Sequence, residues 1–431
     1  MIPSIDTRLL PGPADIQTSQ LDNGITILVR HNPHSPAVVT RGYLTCGSLG
    51  ETRNTAGLAT LTAAGLKLGT KGYSRDELYE RIEAIGGQLS IGSGKSRTQF
   101  FTKSLAEDLG SILKLLAETI QRPTFPEEKY AALKARHLTG LKLRSQDTFS
   151  AALIAFYELL YGDHPFAFNL DGYPESIEHI TADDCRLFHG QHFHPQGMVI
   201  AVVGGIEPSE AVQRVADEFA GWQPDFSPSE LALPDWQAPK KPGRRHISLD
   251  DRSQCDIIMG VAGPGQNDED YLPAYVGNYI LGQYGLSGRL GQSLREEAGL
   301  AYAAQSTLVS SRNSPPWVVY CGVAPENVDR ALDLIDRELQ RFTTERVSEE
   351  ELLECQAFLI GSLPLTVESN EAVAEALLDM VYYDRGLDYY QRIPDLIAGI
   401  DRQQILEAAQ RYIKLESIAT AVAGPIPAWE A

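Results

Sequence analysis

The chain has 431 residues with 43% hydrophobic content, too long for one typical core and apolar enough to build two of about 200 residues each. Its formal charge of -20 comes without any basic stripe, which argues against nucleic acid as a partner. No run of about 18 apolar residues is present, so no membrane-spanning helix is expected. The opening Met1 to Arg8 lacks a basic start followed by an apolar run, so no secretory signal is expected and a cytoplasmic location fits. The five cysteines, Cys46, Cys185, Cys255, Cys321 and Cys355, are far apart and never in a Cys-x-x-Cys pair. They are expected to be free, mostly buried thiols of a reducing compartment.

Asp22-Asn23-Gly24 is a strong turn signal between an extended segment from Gln17 and a β-branched strand ending at Arg30. Ala37 to Cys46 is a second strand. Helices are predicted over Gly57 to Leu68 and Ser74 to Ile85, the latter opened by Ser74 and Glu77 at capping-box spacing. Gln88 to Gly94 and Ser96 to Ser104 form paired strands. Helices follow over about Ala106 to Gln121, Pro126 to Leu143, Thr148 to Tyr161 and Thr181 to His192, before the apolar strand Met198 to Val203. Residues 224–245, carrying Pro224, Pro228, Pro234, Pro239 and Pro242 with little periodicity, read as a semi-rigid linker.

Beyond the linker the pattern repeats. Strands are expected at His246 to Leu249 and Asp256 to Val261, and helices at Asp268 to Leu281 and Leu286 to Glu297. Strands near Ala301 and Val318 lead to helices at Asn327 to Phe342, Ser348 to Leu363, Asn370 to Asp384 and Arg402 to Tyr412, and to the strand Ile418 to Val422. His179-Ile-Thr-Ala-Asp-Asp184 leads through a helix to the strand at Met198, and Gly399-Ile-Asp-Arg-Gln-Gln404 leads through a helix to the strand at Ile418. A period of about 200 residues is a duplicated domain, too long for a solenoid. The expected fold is therefore α+β: two homologous domains, 1–223 and 246–431, each a mainly antiparallel sheet with helices on one face.

The stretch from Leu281 to Tyr302 stands apart. Gly282, Gly285 and Gly288 precede a helix with Leu286, Leu290 and Leu294 on one face, and Gly299 is the natural stop. Arg295 then falls in the last turn of a helix and Tyr302 at the start of a strand, so guanidinium and phenol can reach into a cleft together. The same spacing also suits an ordinary helix-end Arg and a half-buried Tyr. The glycines have no Gly-Lys-Ser/Thr after them and are not a phosphate loop. They suit a flexible entry to a cavity or close backbone packing equally. His189, His192 and His194 straddle a helix end with no carboxylate at a clear spacing, so a metal is not expected there.

Several motifs in order carry a resemblance: Leu21-Asp-Asn-Gly-Ile, Gly47-Ser-Leu-Gly-Glu51, Gly57-Leu-Ala, Gly69-Thr70, Leu294-Arg-Glu, Gly299-Leu-Ala-Tyr302, Glu349-Glu-Glu-Leu352 and Gly386-Leu-Asp-Tyr-Tyr390. Together they resemble the pitrilysin/insulinase family of inverted-motif zinc peptidases over nearly the whole chain, and most of all its two-subunit, processing-peptidase-like branch. The resemblance implies a His-x-x-Glu-His motif after Gly57-Leu-Ala, whose imidazoles hold zinc while the glutamate activates water. Here Thr60 and Ala64 stand at the two histidine positions and Ala63 at the glutamate. Gly140 aligns with the third ligand, a glutamate on a later helix. The chain is therefore expected to hold no zinc and to be inactive alone.

The resemblance also implies that Arg295 and Tyr302 hold the substrate backbone across the cavity from the metal, and Arg289, which matches a common family Arg, is expected to pack or to form an interdomain salt bridge. The expected function is the non-metal subunit of a heterodimeric zinc metallopeptidase. A homologous partner subunit would carry the zinc, and this chain would help to position a peptide substrate. An inactive scaffold, or a peptide-binding homodimer of the same fold, is the alternative.

Overall fold

The computed structural model describes Pro3, residues 5–223, Trp236, 243–283 and 287–425. The linker expected over 224–245 lies mostly outside these residues. Its last two positions, Arg244 and Arg245, already belong to a strand.

The first half carries strands β1 (Ile16–Gln20), β2 (Thr26–His31), β3 (Ala37–Leu44), β4 (Gln88–Ser93), β5 (Thr98–Leu105) and β6 (Val199–Gly204). They form one sheet in the order β1-β2-β6-β3-β5-β4, antiparallel except for the β2–β6 pair. Its helices are α1 (Leu58–Gly65), α2 (Arg75–Ala84), α3 (Leu109–Gln121), α4 (Glu127–Arg144), α5 (Thr148–Tyr161), α6 (Pro174–His179), α7 (Ala182–His192) and α8 (Pro208–Phe219). The second half carries β7 (Arg244–Ser248), β8 (Cys255–Ala262), β9 (Ala301–Leu308), β10 (Pro316–Val323) and β11 (Ala419–Gly424), in the order β7-β11-β8-β10-β9. Its helices are α9 (Tyr271–Asn278), α10 (Arg289–Gly291), α11 (Val328–Thr344), α12 (Glu349–Thr366), α13 (Asn370–Tyr382), α14 (Tyr389–Ala398) and α15 (Arg402–Tyr412).

Local chemistry sets most of these boundaries. Ser74 caps α2 and its partner Glu77 returns the bond, as the spacing predicts. The duplicated segments behave alike. Thr181 and Asp184 form the capping box of α7, and Asp401 and Gln404 that of α15; each helix then leads into an interior strand of its sheet, β6 or β11, both fully buried.

In each half most of the helices gather on one face of the sheet. In the first, Ile27, Val29, Leu61, Leu113, Leu116 and Val202 are among the residues that make one core. In the second, Ile257, Met259, Leu290, Leu294, Ile335 and Val422 belong to the other. The remaining face of each sheet is covered by a helix lent from the opposite half. Ala152, Ala155 and Phe156 of α5 pack on Ile258, Val318 and Ala421 of the second sheet. Val373, Ala374 and Leu377 of α13 pack on Leu28, Val39 and Val203 of the first. This exchange gives each sheet two dry faces and binds the halves into one body. All five cysteines are free and buried. Among the described residues no helix is long and apolar enough to cross a membrane.

Candidate functional site

The zinc-motif positions lie on α1 and α4. The helix α1 begins after Gly57, whose φ of 96° is left-handed and open to glycine. Gly57 offers no side chain to cap the helix, so Glu51 does it from a distance. The Glu51 carboxylate accepts the Gly57 N–H at 2.9 Å and the Ala59 N–H at 2.6 Å. The residue is only 5% exposed. Burial pushes its carboxyl up to about 7, against the pull of those two N–H groups and of Lys95. Glu51 ends the Gly47-Ser-Leu-Gly-Glu51 motif, but its capping role is not legible in the sequence because it lies too far upstream of the helix for a local cap pattern.

At the four positions expected to align with the zinc motif the side chains are short or already engaged. Thr60 donates its hydroxyl to the Leu170 carbonyl at 2.7 Å, and Ala63 is buried. Ala64 packs against the first core. A Cβ at Gly140 would meet only the guanidinium of Arg144, at 3.8 Å and beyond, so nothing steric enforces the glycine. On α4, His137 Nε2 bonds the Asp171 carbonyl at 2.7 Å, and Arg144 pairs with the Asp171 carboxylate at 3.2 Å. The loop that follows Asn169 is thus tied to both helices, and the family's zinc does not fit the residues present. The three histidines also part company. His189 Nε2 bonds the Ile120 carbonyl, His192 lies against Phe188, and burial pushes all three imidazoles down. Among the described residues no three His, Cys, Asp or Glu side chains could hold a metal ion together.

The second-half element is built differently from an ideal helix. The α10 turn continues as a π-helix over Gln292–Glu297, a form that recurs at functional sites. Leu290 and Leu294 are fully buried, as their spacing predicts, while Leu286 and Gly285 lie outside the described residues. Gly282 and Gly288 pack against each other: a Cβ on Gly288 would fall 2.9 Å from the Gly282 Cα. Close backbone packing is therefore their visible role. Gly299, at φ 64°, ends the element as expected.

Arg295 leaves this π-helix with 40% of its side chain exposed, and its nearest carboxylate oxygen, on Glu296, is 4.0 Å away. Its guanidinium carbon lies 5.4 Å from the centre of the Tyr302 ring. Tyr302 itself is 84% exposed, so the half-buried alternative does not hold. The cause is a β-bulge. Ala301 pairs with Val323 and Ala304 with Cys321, so Tyr302 and Ala303 together oppose the single residue Gly322. Such a bulge breaks the strand alternation and re-aims a side chain. β9 is also the edge of its sheet, leaving the outer backbone groups of its strand unpaired within the sheet. The structure therefore brings Arg295 and Tyr302 together at the surface, beside a strand edge.

Arg289 does form a salt bridge, but within the second half and not between the domains, because α12 of its own half brings Glu351 beside it. Its Nε and Nη2 donate to the two carboxylate oxygens of Glu351 at 2.6 and 2.9 Å. It clamps the segment bearing Arg295 onto α12.

Comparison with known proteins agrees with this architecture. Residues 26–142 match the insulinase (peptidase family M16) profile, and residues 179–359 match the peptidase M16 inactive domain. This chain belongs to peptidase family M16. The crystal structure of a peptidase M16 inactive domain from Pseudomonas fluorescens superposes on it with a TM-score of 0.89 at 26% identity, over 96% of this chain and 99% of that one. A protease from Helicobacter pylori has the same fold, with a TM-score of 0.87 at 19% identity, over 96% of this chain and 100% of the other. An uncharacterised zinc protease of Rickettsia bellii is 23% identical across 95% of this chain and 98% of its own length. The mitochondrial-processing peptidase subunit beta of Neurospora crassa is 24% identical across 95% and 88%.

Proposed function

We propose that this M16 chain is the non-metal subunit of a two-chain peptidase, holding an extended peptide with Arg295 and Tyr302 while a homologous zinc-bearing partner supplies the hydrolytic chemistry. One observation carries the reading. The positions of the metal ligands are occupied by groups that cannot bind zinc, while the Arg295–Tyr302 pair is present, exposed and aimed outward by a bulge. A guanidinium presents several N–H donors to peptide carbonyls, and a phenol adds one more. The free edge of β9 offers backbone groups of the kind that pair with an extended chain. Held in this way, the peptide loses orientational freedom before reaction, which lowers the entropic part of the barrier.

The test begins with affinity purification of the chain from its native cells and mass spectrometry of what accompanies it. A near-stoichiometric homologue with His-x-x-Glu-His is expected. In that complex Arg295→Ala should lower peptide turnover at least about tenfold, the scale of a lost positioning contact, with zinc content unchanged. Recovery of the chain as a homodimer, or unaltered turnover in the variant, would refute the proposal.

A further inference from the structure

The two exchanged helices end close together. α5 stops at Tyr161 and α13 at Tyr382, and both residues line a cavity of about 260 Å³ at the seam between the halves. The β4–β5 turn and the end of α5 supply its walls from the first half. The β9–β10 connection and the end of α13 supply them from the second. Neither Arg295 nor Tyr302 lines it. The β9–β10 connection is fixed there. The Tyr161 hydroxyl donates to the Ser314 carbonyl at 2.8 Å, and Ser314 holds a φ of 36°, a left-handed conformation that costs energy in a residue other than glycine. On the other side, the hydroxyls of Ser96 and Tyr382 join across the seam at 2.7 Å.

The chain has a formal charge of -20, yet two cations, Lys95 and Arg97, stand in this wall and no Asp or Glu does. Arg97 keeps 15% of its side chain exposed, and its guanidinium carbon lies 3.7 Å from the centre of the Tyr382 ring. The Asp379 carboxylate is 3.6 Å from its Nη1, too long for a hydrogen bond, and Nη1 has no other partner. Burial and Glu375 push the Asp379 carboxyl up, which weakens it as a counter-ion. A largely buried guanidinium with unused donors is costly unless a further acceptor reaches it. Lys95 donates to the carbonyls of Pro165 and Phe168, and burial pushes its ammonium down to about 8 against the pull of Glu51. Its surroundings are therefore short of negative charge. The rest of the wall is largely aromatic, with Tyr157 beside Tyr161 and the ring centres of Tyr161 and Phe166 5.4 Å apart.

We infer that this seam cavity binds a carboxylate carried by an aromatic ring, the carboxylate pairing with Arg97 and the ring lying against Tyr157, Tyr161 and Phe166. The planar fork of a guanidinium matches the two oxygens of a carboxylate, and aromatic walls favour a ring in edge or offset contact. A small free acid and the C-terminal aromatic residue of a peptide both present these two groups.

The experiment titrates the full chain by isothermal calorimetry with phenylacetate, its neutral amide phenylacetamide, and the non-aromatic acid cyclohexylacetate. Phenylacetate is expected to bind at least about tenfold more tightly than phenylacetamide, the scale of a hydrogen-bonded charge pair, and more tightly than cyclohexylacetate. Arg97→Gln should remove the preference for the acid over the amide and leave amide binding unchanged; a merely structural Arg97 would weaken both alike. Asn313→Asp places a carboxylate in the wall without touching the Arg97 contacts. It should weaken phenylacetate about threefold through a partly screened repulsion, and it keeps the test decisive if Arg97→Gln does not fold. A short peptide ending in phenylalanine, with a free or an amidated C-terminus, separates the two sources. Tighter binding of the free-ended peptide than of phenylacetate assigns the cavity to a peptide end, weaker binding assigns it to a small acid, and either upholds the site. Equal affinity for phenylacetate and phenylacetamide, equal affinity for phenylacetate and cyclohexylacetate, or no binding of phenylacetate or the free-ended peptide at millimolar concentrations would overturn it.

Discussion

The clamp that holds the Arg295 element in place can be tested by Arg289→Met, which keeps most of the stem and removes the guanidinium. Arg289 is 7% exposed and makes a two-pronged bond to Glu351. Burial pushes the Glu351 carboxyl up, but the Arg289 hydrogen bonds and the Ser348 backbone N–H outweigh it and hold the group at about 2. Breaking a buried pair on one side costs about 3–5 kcal/mol when the remaining charge is fully desolvated. Glu351 keeps 30% of its side chain in solvent and keeps the Ser348 N–H at 2.6 Å, so we expect about 2–3 kcal/mol after discounting for solvent screening. Urea unfolding at neutral pH measures it, in a double-mutant cycle with Glu351→Gln. The pH dependence gives a second readout. Because the folded carboxyl titrates near 2 and the unfolded one near 4.5, its stabilisation is complete above about 4.5 and drains away as the pH falls towards 2. Arg289→Met should flatten that acid limb. A loss below about 0.5 kcal/mol, or a coupling energy near zero, would show that the pair does not hold the element.

Glu51 predicts the opposite slope. Its carboxyl is neutral when folded up to about 7 but ionises near 4.5 when unfolded, so its contribution favours folding at pH 4.5 and is lost as pH rises to 7, by about 3 kcal/mol. Urea midpoints across that window should fall more steeply for the wild type than for Glu51→Gln, and parallel curves would contradict the assignment. Truncation probes the helix exchange: residues 1–223 alone should fail to give a monomeric folded domain by size-exclusion chromatography and circular dichroism. They would bare Leu28, Val39, Tyr43, Val199 and Val203, each worth roughly 1.5–3 kcal/mol of burial, together comparable to the net stability of a domain. A cooperative, monomeric fragment would show the exchange to be dispensable.

What was readable in the sequence follows the range of the interaction concerned. Capping boxes at Ser74, Thr181 and Asp401 and the turn at Gly24 act over three or four residues, and they appear where the spacing puts them. The duplicated order of strands and helices was legible for the same reason. Pro208–Phe219 and Tyr389–Ala398 are helices without a clear sequence signal; the second holds Pro394 in its interior, which lowers any helix reading. The helix expected from Leu286 to Glu297 is largely a π-helix, because the apolar period does not report which carbonyl each N–H will choose. Of the candidate site, Arg295 and Tyr302 were visible through their motif. The cavity around Arg97 was not, since Tyr161 and Tyr382 meet there only through the helix crossing between halves.

That crossing also bears on why a half without its metal ligands keeps its shape. α5 is apolar enough to read as a core helix, but periodicity cannot say which sheet it covers. It covers the second, and its first turn places Thr148 against Asp256 and Phe149 against Tyr320. The first half therefore supplies part of the wall of a pocket beside Tyr302, whatever became of its own zinc positions. In return α13 closes the outer face of the first sheet. The first half's α5 is thus part of the second sheet's packing, and through α13 the first sheet is held to the same body. Thr60, Ala63, Ala64 and Gly140, on α1 and α4, are not among the residues of this exchange.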